Sequence, residues 1–225
     1  MDGFLIIDKP LHYSSMDVIR ILRKLTGIRK IGHAGTLDPL ATGVLLVCIG
    51  KAATKQIDKL MDMEKEYVAE INLLAFSETD DAEGPLCAVD VKEIPIEDAV
   101  KKCLSQFIGV IEQMPPVYSA VKIQGESAYK KVRRGEEVVL KAKEVTIKSI
   151  ELLAYEWPLL KIRVTCSKGV YIRSLAHDIG TYLKTGGYLT GLMRTRIGDY
   201  EYKQAISLKE LQEHPEIIPQ SIQNF

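Results

Sequence analysis

Residues that mark several common protein classes are scarce in this sequence. Its 225 residues include only four cysteines and four histidines, and its formal net charge is zero. The cysteines are far apart and form no C-x-x-C pair, which argues against a disulfide scaffold, a zinc ribbon or a redox motif. The histidines show no H-E-x-x-H spacing and no cluster, so the sequence predicts no metal site.

Long apolar runs are missing as well. Residues 1–7 carry an acidic residue and only a short apolar stretch, which predicts neither a signal peptide nor a membrane span. Hydrophobic residues make up 46% of the chain and charged residues 27%, as is typical of a folded globular protein. We expect a cytoplasmic protein with no membrane partner. Its thiols are expected to be buried and reduced at Cys48, Cys87, Cys103 and Cys166.

Basic residues nevertheless concentrate in one segment. Residues 115–143 contain seven basic and three acidic side chains, although the charge balance of the whole chain gives no support to a nucleic-acid partner. Hydrophobic periodicity is weak between residues 115 and 140. These features predict a mobile insertion that carries a local basic patch. A solvated charged face is the alternative interpretation.

Elsewhere, hydrophobic periodicity predicts an irregular alternation of strands and helices. Ser14 with Asp17 is close to a capping box, and it begins a predicted helix that ends near Gly27. Strands are predicted at residues 4–7, 44–49, 67–73, 145–147, 160–166 and 189–197, and helices at 52–61, 99–107, 172–183 and from Ser207. The mixture predicts an α/β or α+β fold with a mixed sheet.

The densest group of candidate functional residues precedes the strand at 44–49. Residues 32–43 read GHAGTLDPLATG, in which three glycines and a proline fix a tight loop that exposes His33 and Asp38. A rigid loop of this kind can present a carboxylate as a nucleophile. Asp38 could equally cap a turn before Pro39, and spacing alone favours neither interpretation.

Two motifs for phosphate chemistry fit this region poorly. A Walker A loop would need glycine in place of Leu45 and serine or threonine in place of Ala52. An aspartyl-phosphate enzyme commonly has a second aspartate two residues after the first, where this chain has Leu40. Neither class of enzyme is therefore indicated.

Residues 32–45, GHAGTLDPLATGVL, resemble the signature segment of the TruB family of pseudouridine synthases. Other segments resemble motifs of that family: Lys9-Pro10, Lys65-Glu66-Tyr67 and residues 166–174, CSKGVYIRS. Residues 115–122 with 133–135 are similar to its RNA-binding insertion, called the thumb. The resemblance extends from about residue 3 to residue 200.

The resemblance implies a pseudouridine synthase fold. We expect a single catalytic domain over residues 1–225, an α/β (α+β) fold whose mixed, largely antiparallel central sheet is flanked by helices, with the thumb at about 115–142. Many family members continue into a C-terminal RNA-binding module of the PUA type. After the short final helix we expect no such module in this chain.

The resemblance also implies an activity, the isomerisation of uridine to pseudouridine at position 55 in the T-loop of tRNA. The bond from ribose to N1 is broken and remade at C5, which needs one carboxylate and a pocket that retains the base. Asp38 would be the nucleophile. The reaction is expected to need no cofactor and no metal.

Further roles follow from the same resemblance. Arg173 would pair with Asp38 and keep it ionised, and Tyr67 would stack on the target base and move a proton. A surface arginine at a helix start and a tyrosine packed in the core are the alternatives. The substrate-binding residues would be Lys9, His33, Tyr171 and Leu192, with His33 assisting base flipping at a cost of roughly a few kcal/mol.

RNA phosphates would be contacted by five basic residues of the thumb, which would bind without reading bases: Lys122, Lys130, Lys131, Arg133 and Arg134. The expected partner is the T-loop and T-stem of tRNA, with no obligatory protein partner. Two alternatives remain open. One is the relative that modifies ribosomal RNA with a guide RNA and partner proteins, and the other is a tRNA-folding chaperone without turnover.

Overall fold

The computed structural model describes residues 1–119, 121–123, 125–127, 131–132, 134–136 and 138–224. The chain divides into two compact units. The first unit is Met1–Val68 with Leu192–Phe225, and the second is Ala69–Gly191. The expectation of a single domain stays a prediction.

The described residues form strands and helices in irregular alternation. The strands are β1 (Gly3–Lys9), β2 (Ile31–His33), β3 (Ala41–Ile49), β4 (Lys65–Asn72), β5 (Ala75–Ser77), β6 (Leu86–Ala88), β7 (Gly109–Gln113), β8 (Lys122–Ile123), β9 (Glu126–Ser127), β10 (Lys143–Glu156), β11 (Leu159–Cys166), β12 (Tyr188–Ile197), β13 (Tyr200–Glu201) and β14 (Ile206–Ser207). The α-helices are α1 (Ser15–Thr26), α2 (Lys51–Thr54), α3 (Ile57–Asp62), α4 (Glu97–Gln106), α5 (Ile172–Leu183), α6 (Leu208–Glu213) and α7 (Ile218–Ser221). Short 3₁₀ helices lie at Tyr202–Gln204 and Pro215–Ile217.

The sheet of the first unit is mixed. Its strand order is β14-β1-β3-β12-β4, while β2 pairs with β3 and β13 with β12. Strands β1 and β3 are antiparallel, whereas β12 runs parallel to β3 with Leu192 opposite Ala41. The beginning of β3 therefore lies beside β12, and this neighbour positions part of the candidate site.

Strand β3 is apolar from Val44 to Ile49, and both of its faces are buried there, as is typical of a strand covered on both sides. Leu45, Val47 and Ile49 pack with α1 and α6 in one hydrophobic cluster. Leu46 and Cys48 pack in a second cluster that includes residues of α2 and α3. Helix α1 begins at the predicted Ser14–Asp17 capping box and ends at Gly27, which has a φ of 71°.

The second unit has the strand order β12-β4-β11-β10-β7, in which β10 is antiparallel to both β11 and β7. Helices α4 and α5 pack together, and the Cys103 Sγ lies 3.9 Å from the Ile179 carbonyl oxygen. Strands β5 and β6 form a separate antiparallel pair. The prediction of a mixed, largely antiparallel sheet flanked by helices is confirmed in the described residues.

Two local predictions were wrong. The single helix predicted at 52–61 is two helices, α2 and α3, separated at Lys55–Gln56. Cys87 is exposed, as are both other residues of β6, whereas Cys48, Cys103 and Cys166 are buried as expected. None of the helices in the described residues is long and apolar enough to cross a membrane.

Helix α5 packs closely against the turn that follows it. A Cβ atom added to Gly180 would lie 2.3 Å from the carbonyl oxygen of Gly186 and 2.6 Å from the nitrogen of Gly187. The Thr185 N–H donates to the Gly180 carbonyl at 2.9 Å, so this approach of two backbone segments is fixed by a hydrogen bond. Only a residue without a side chain fits at position 180.

We predict that Gly180→Ala lowers the free energy of unfolding by about 1 to 3 kcal/mol, because the new methyl group forces two backbone segments apart. Urea denaturation measures this loss. Thr181→Ala, at the next and exposed position of α5, is the matched control and should change stability by less than about 0.5 kcal/mol. Equal stability of both variants would contradict the close packing.

Candidate active site

The loop between β2 and β3 has a backbone fixed by hydrogen bonds. The Ala34 N–H donates to the Leu46 carbonyl at 2.9 Å, and the Ala41 N–H donates to the Asp38 carbonyl at 3.0 Å. The first bond attaches the loop to β3, and the second closes a turn around Pro39. Asp38 therefore lies in a turn of defined geometry, as the glycines and proline predicted.

Residues that precede this loop in the sequence also form hydrogen bonds with its main chain. The buried Ser15 hydroxyl accepts from the Leu37 N–H at 2.8 Å and donates to the Leu37 carbonyl at 3.0 Å. The His12 N–H donates to the Pro39 carbonyl at 2.8 Å. Leu37 is buried in the core and Asp38 is half-buried. The residues on both sides of the carboxylate are thus held in place.

Arg194 on β12 lies beneath the same loop with a relative exposure of 1%. Its Nε donates to the Val44 carbonyl at 2.7 Å, and its Nη2 donates to the Gly35 carbonyl at 3.1 Å. A buried guanidinium needs such acceptors, since an unpaired buried charge is costly. Gly43, with a φ of 93°, permits this approach, because a Cβ atom there would lie 2.3 Å from the Arg194 carbonyl oxygen.

Two predicted site residues interact with the charge of Arg194. The Tyr67 ring centroid lies 6.0 Å from its guanidinium carbon, within the range of a cation–π contact. Lys9 is fully buried, and its ammonium group donates to the Pro10 carbonyl at 2.9 Å and to the Tyr13 carbonyl. Burial lowers the pKa of Lys9 to about 8, although the Asp38 carboxylate raises it and Arg194 lowers it further.

His33 is held in its neutral form. Burial lowers the pKa of its imidazole, and the positive charge of Arg194 lowers that pKa further. Its Nδ1 atom is buried and has no hydrogen-bond partner among the described residues.

Leu192 lies at the start of the parallel pairing between β12 and β3. It is half-buried, and both Leu192 and Tyr67 pack against the hydrophobic cluster that contains Leu37. The first unit thus gathers five predicted site residues along one loop and its neighbouring strands: Lys9, His33, Asp38, Tyr67 and Leu192.

The other two predicted site residues belong to the second unit. Arg173, at the start of α5, has a relative exposure of 6%. Its guanidinium donates to the Thr79 carbonyl at 3.0 Å and to the Tyr118 carbonyl at 2.9 Å, and lies 3.6 Å from the Asp81 carboxylate. The pairing of Arg173 with Asp38 stays a prediction. Tyr171 precedes α5 as its N-cap residue.

Two basic residues of the thumb form ion pairs with glutamates. Arg134 pairs with Glu126 at 2.6 Å and with Glu136 at 2.8 Å, and Lys131 lies 3.4 Å from Glu136. To contact phosphates, Lys131 and Arg134 would have to exchange these carboxylates for phosphate oxygens. Their contacts with RNA stay predictions. Lys130, Arg133 and the side chain of Lys122 lie outside the described residues, and the mobility of the segment stays a prediction.

Among the residues that the structure describes, no three histidine, cysteine, aspartate or glutamate side chains are arranged to hold a metal ion. The expectation that the reaction needs neither metal nor cofactor stays a prediction.

Family models match nearly the whole chain. Residues 23–172 match the N-terminal domain of the TruB family pseudouridylate synthases, and residues 173–221 match the C-terminal domain of tRNA pseudouridylate synthase B. The chain belongs to the TruB family. The resemblance drawn from the loop and the shorter motifs is thereby confirmed.

Similar proteins agree with this membership. A tRNA pseudouridine synthase B of Phocaeicola vulgatus is 48% identical over 93% of this chain and 91% of its own length. That of Clostridium tetani is 41% identical over 95% of this chain and 73% of its own length. In a crystal structure of a Cbf5-Nop10-Gar1 complex, one chain has a TM-score of 0.77 and 29% identity, over 99% of this chain and 60% of that chain.

Two charged residues near the TruB motifs were missed by sequence reasoning. Asp81, which lies between β5 and β6, is buried with its carboxylate 3.6 Å from the Arg173 guanidinium. Arg194 lies on the predicted strand at 189–197, where residues 192 and 194 share a face. The sequence pattern places Arg194 on the same strand face as Leu192. Strand alternation alone, however, does not distinguish a buried arginine from an exposed one.

We predict that Arg194→Met raises the pKa of His33 towards its ordinary value, because the variant removes the second of the two causes that lower it. In the wild-type protein, the His33 imidazole binds a proton more readily in the unfolded chain than in the folded one. The contribution of His33 to the free energy of unfolding therefore becomes unfavourable as the pH falls below about 6.5. NMR titration of the imidazole resonances measures the shift. Arg20→Met, which replaces an exposed arginine on α1, should leave the titration unchanged.

Proposed function

We propose that this chain isomerises uridine to pseudouridine at position 55, in the T-loop of tRNA. The observation that carries the proposal is the loop at 32–43, which the structure holds at Ala34, Leu37 and Ala41 so that Asp38 is presented between fixed neighbours. Its membership of the TruB family and the names of its curated relatives support the substrate.

The proposed reaction uses one carboxylate. Asp38 forms a bond to the flipped nucleotide as the bond from ribose to N1 breaks. The base then rotates, its C5 bonds to the ribose, and the bond to Asp38 breaks, which releases the free carboxylate. The proton originally on C5 is lost and N1 gains a proton, so the product is an isomer of the substrate. Tyr67 would stack on the base and move a proton. Arg173 would pair with the Asp38 carboxylate and stabilise its charged form.

The remaining site residues would act on the shape of the pocket. The neutral ring of His33 would occupy the space vacated by the flipped base. Unstacking that base costs roughly a few kcal/mol. Leu192 and Tyr171 would close the pocket on the uracil. Lys9 is fully buried and bonded to main-chain carbonyls, which favours an indirect role in which it supports the loop after β1.

A surface of the first unit offers a second place for RNA phosphates besides the thumb. We call it the basic edge, and it consists of exposed residues at the end of α1, before β2 and around α2: Lys24, Arg29, Lys30, Lys51 and Lys55. The Gly50 N–H donates to the Lys30 carbonyl at 2.8 Å, so Lys30 and Lys51 emerge from adjoining segments. None of the five has an ion-pair partner within the described residues, which suits them to neutralise phosphates.

The proposed enzyme works without a partner protein and in the cytoplasm. Curated relatives that share 41% to 48% identity are named as tRNA enzymes, whereas the chain within the Cbf5-Nop10-Gar1 complex shares 29%. The larger identity favours action on free tRNA over dependence on a guide RNA.

We predict that purified protein converts uridine 55 of an unmodified tRNA transcript, and that Asp38→Asn lowers the rate by a factor on the order of 10³ or more. The amide keeps the shape of the side chain but is a poor nucleophile, so tRNA binding should persist. Carbodiimide mapping detects the product, and filter binding measures affinity. Asp58→Asn, an exposed position on α3, is the control and should retain full activity.

Each alternative has a distinct outcome in this experiment. Product in the Asp38→Asn variant would refute the nucleophile. Binding without turnover by the wild-type protein would favour a tRNA-folding chaperone, and turnover only after addition of a guide RNA and partner proteins would favour the other relative.

We predict that the double variant Lys30→Ala, Lys51→Ala binds tRNA several-fold more weakly, and that the slope of log K against log salt becomes shallower by about 2, roughly one for each lost phosphate contact. Lys203→Ala with Lys209→Ala is the control, because both lysines are exposed in the first unit and pair with glutamates. Unchanged affinity and slope would exclude the basic edge from the RNA interface.

A further inference from the structure

Gln113, the last residue of β7, is buried at 2% relative exposure and makes a paired contact with Tyr171. Its Nε2 donates to the Tyr171 carbonyl at 3.0 Å, and its Oε1 accepts from the Tyr171 N–H at 2.8 Å. The carboxamide therefore bonds both main-chain groups of one residue, as a neighbouring strand would.

This contact completes the beginning of α5. Tyr171 is the N-cap residue of that helix and no side-chain cap is present. Its carbonyl accepts the helical bond from the Leu175 N–H at 3.1 Å, but no bond of the helix itself satisfies the Tyr171 N–H. Gln113 supplies that acceptor from a distant part of the sequence and fixes the main chain two residues before Arg173.

The residues that follow Gln113 continue the contact. The Ser174 hydroxyl donates to the Met114 carbonyl at 2.7 Å, and Arg173 donates to the Tyr118 carbonyl at 2.9 Å. Residues 115 and 116 between them are prolines, whose φ angles are fixed. A stiff segment that leads into the thumb is thus joined to the start of α5 by four hydrogen bonds.

We infer that Gln113 is a positioning residue for the isomerisation, because its carboxamide fixes the main chain of Tyr171 and thereby the place of the Tyr171 and Arg173 side chains. The inference rests on the proposed function, in which these two side chains serve the reaction. Gln113 itself is not required to touch the substrate. An amide is needed because the contact uses one donor and one acceptor side by side.

Two substitutions separate positioning from simple packing. Gln113→Leu keeps an uncharged side chain of similar size and removes both bonds. Gln113→Glu keeps the acceptor, but its second oxygen faces the Tyr171 carbonyl and repels it while the carboxyl group is ionised. A protonated glutamate can donate to that carbonyl and restores the pair. The charged neighbours on the paired strands, Glu112 and Lys143, are both exposed.

We expect Gln113→Leu to lower kcat roughly 10- to 100-fold with KM for tRNA changed less than about threefold, since small displacements of reacting groups have effects of this size. The rate of Gln113→Glu, divided by the wild-type rate at each pH, should rise as the pH is lowered from 8 to 5.5. Gln106→Glu, at an exposed position at the end of α4, should give a flat ratio.

Wild-type kcat in both Gln113 variants, or a loss of kcat that equals the unfolded fraction seen by circular dichroism, would overturn the inference. A flat ratio for Gln113→Glu would also overturn it. If neither variant folds, Ser174→Ala removes the adjoining bond with little change of volume, and an unchanged kcat there would count against the positioning contact. Absence of turnover in the wild-type protein is a separate result that refutes the proposed function.

Discussion

The buried guanidinium of Arg194 is the constraint on which the candidate site of the first unit depends. A cation without contact to water must have acceptors at fixed positions, and here they are main-chain carbonyls of Gly35 and Val44. Burial lowers the pKa of His33, the charge of Arg194 lowers it further, and the same guanidinium lies against the Tyr67 ring. The Arg194 side chain therefore links three features of the site: the conformation of the loop, the protonation of His33 and the position of the Tyr67 ring.

The second unit uses a related arrangement around Arg173. Its guanidinium donates to the carbonyls of Thr79 and Tyr118 and lies beside the Asp81 carboxylate. Three separate segments of the chain thus meet at the start of α5. Because one of these segments leads into the thumb, the position of the arginine and the root of the RNA-binding insertion are structurally joined.

Local features were well predicted from the sequence. Ser14 and Gly27 delimit α1, the apolar run at 44–49 indicates strand β3, and the glycines around Asp38 indicate a tight loop. The burial of Arg194 could not be predicted, since its acceptors lie about 150 residues away in sequence. The contact of Gln113 with Tyr171 spans 58 residues and has no local pattern, because a glutamine beside a strand end carries no periodicity.

Most polar supports of the site bond to main-chain groups. Lys9, Ser15, Gln113, Arg173 and Arg194 all donate to carbonyl oxygens, and Ser15 and Gln113 also accept from N–H groups. Main-chain groups do not titrate, and they persist when neighbouring side chains are replaced. These contacts within each unit therefore depend little on the identity of neighbouring side chains.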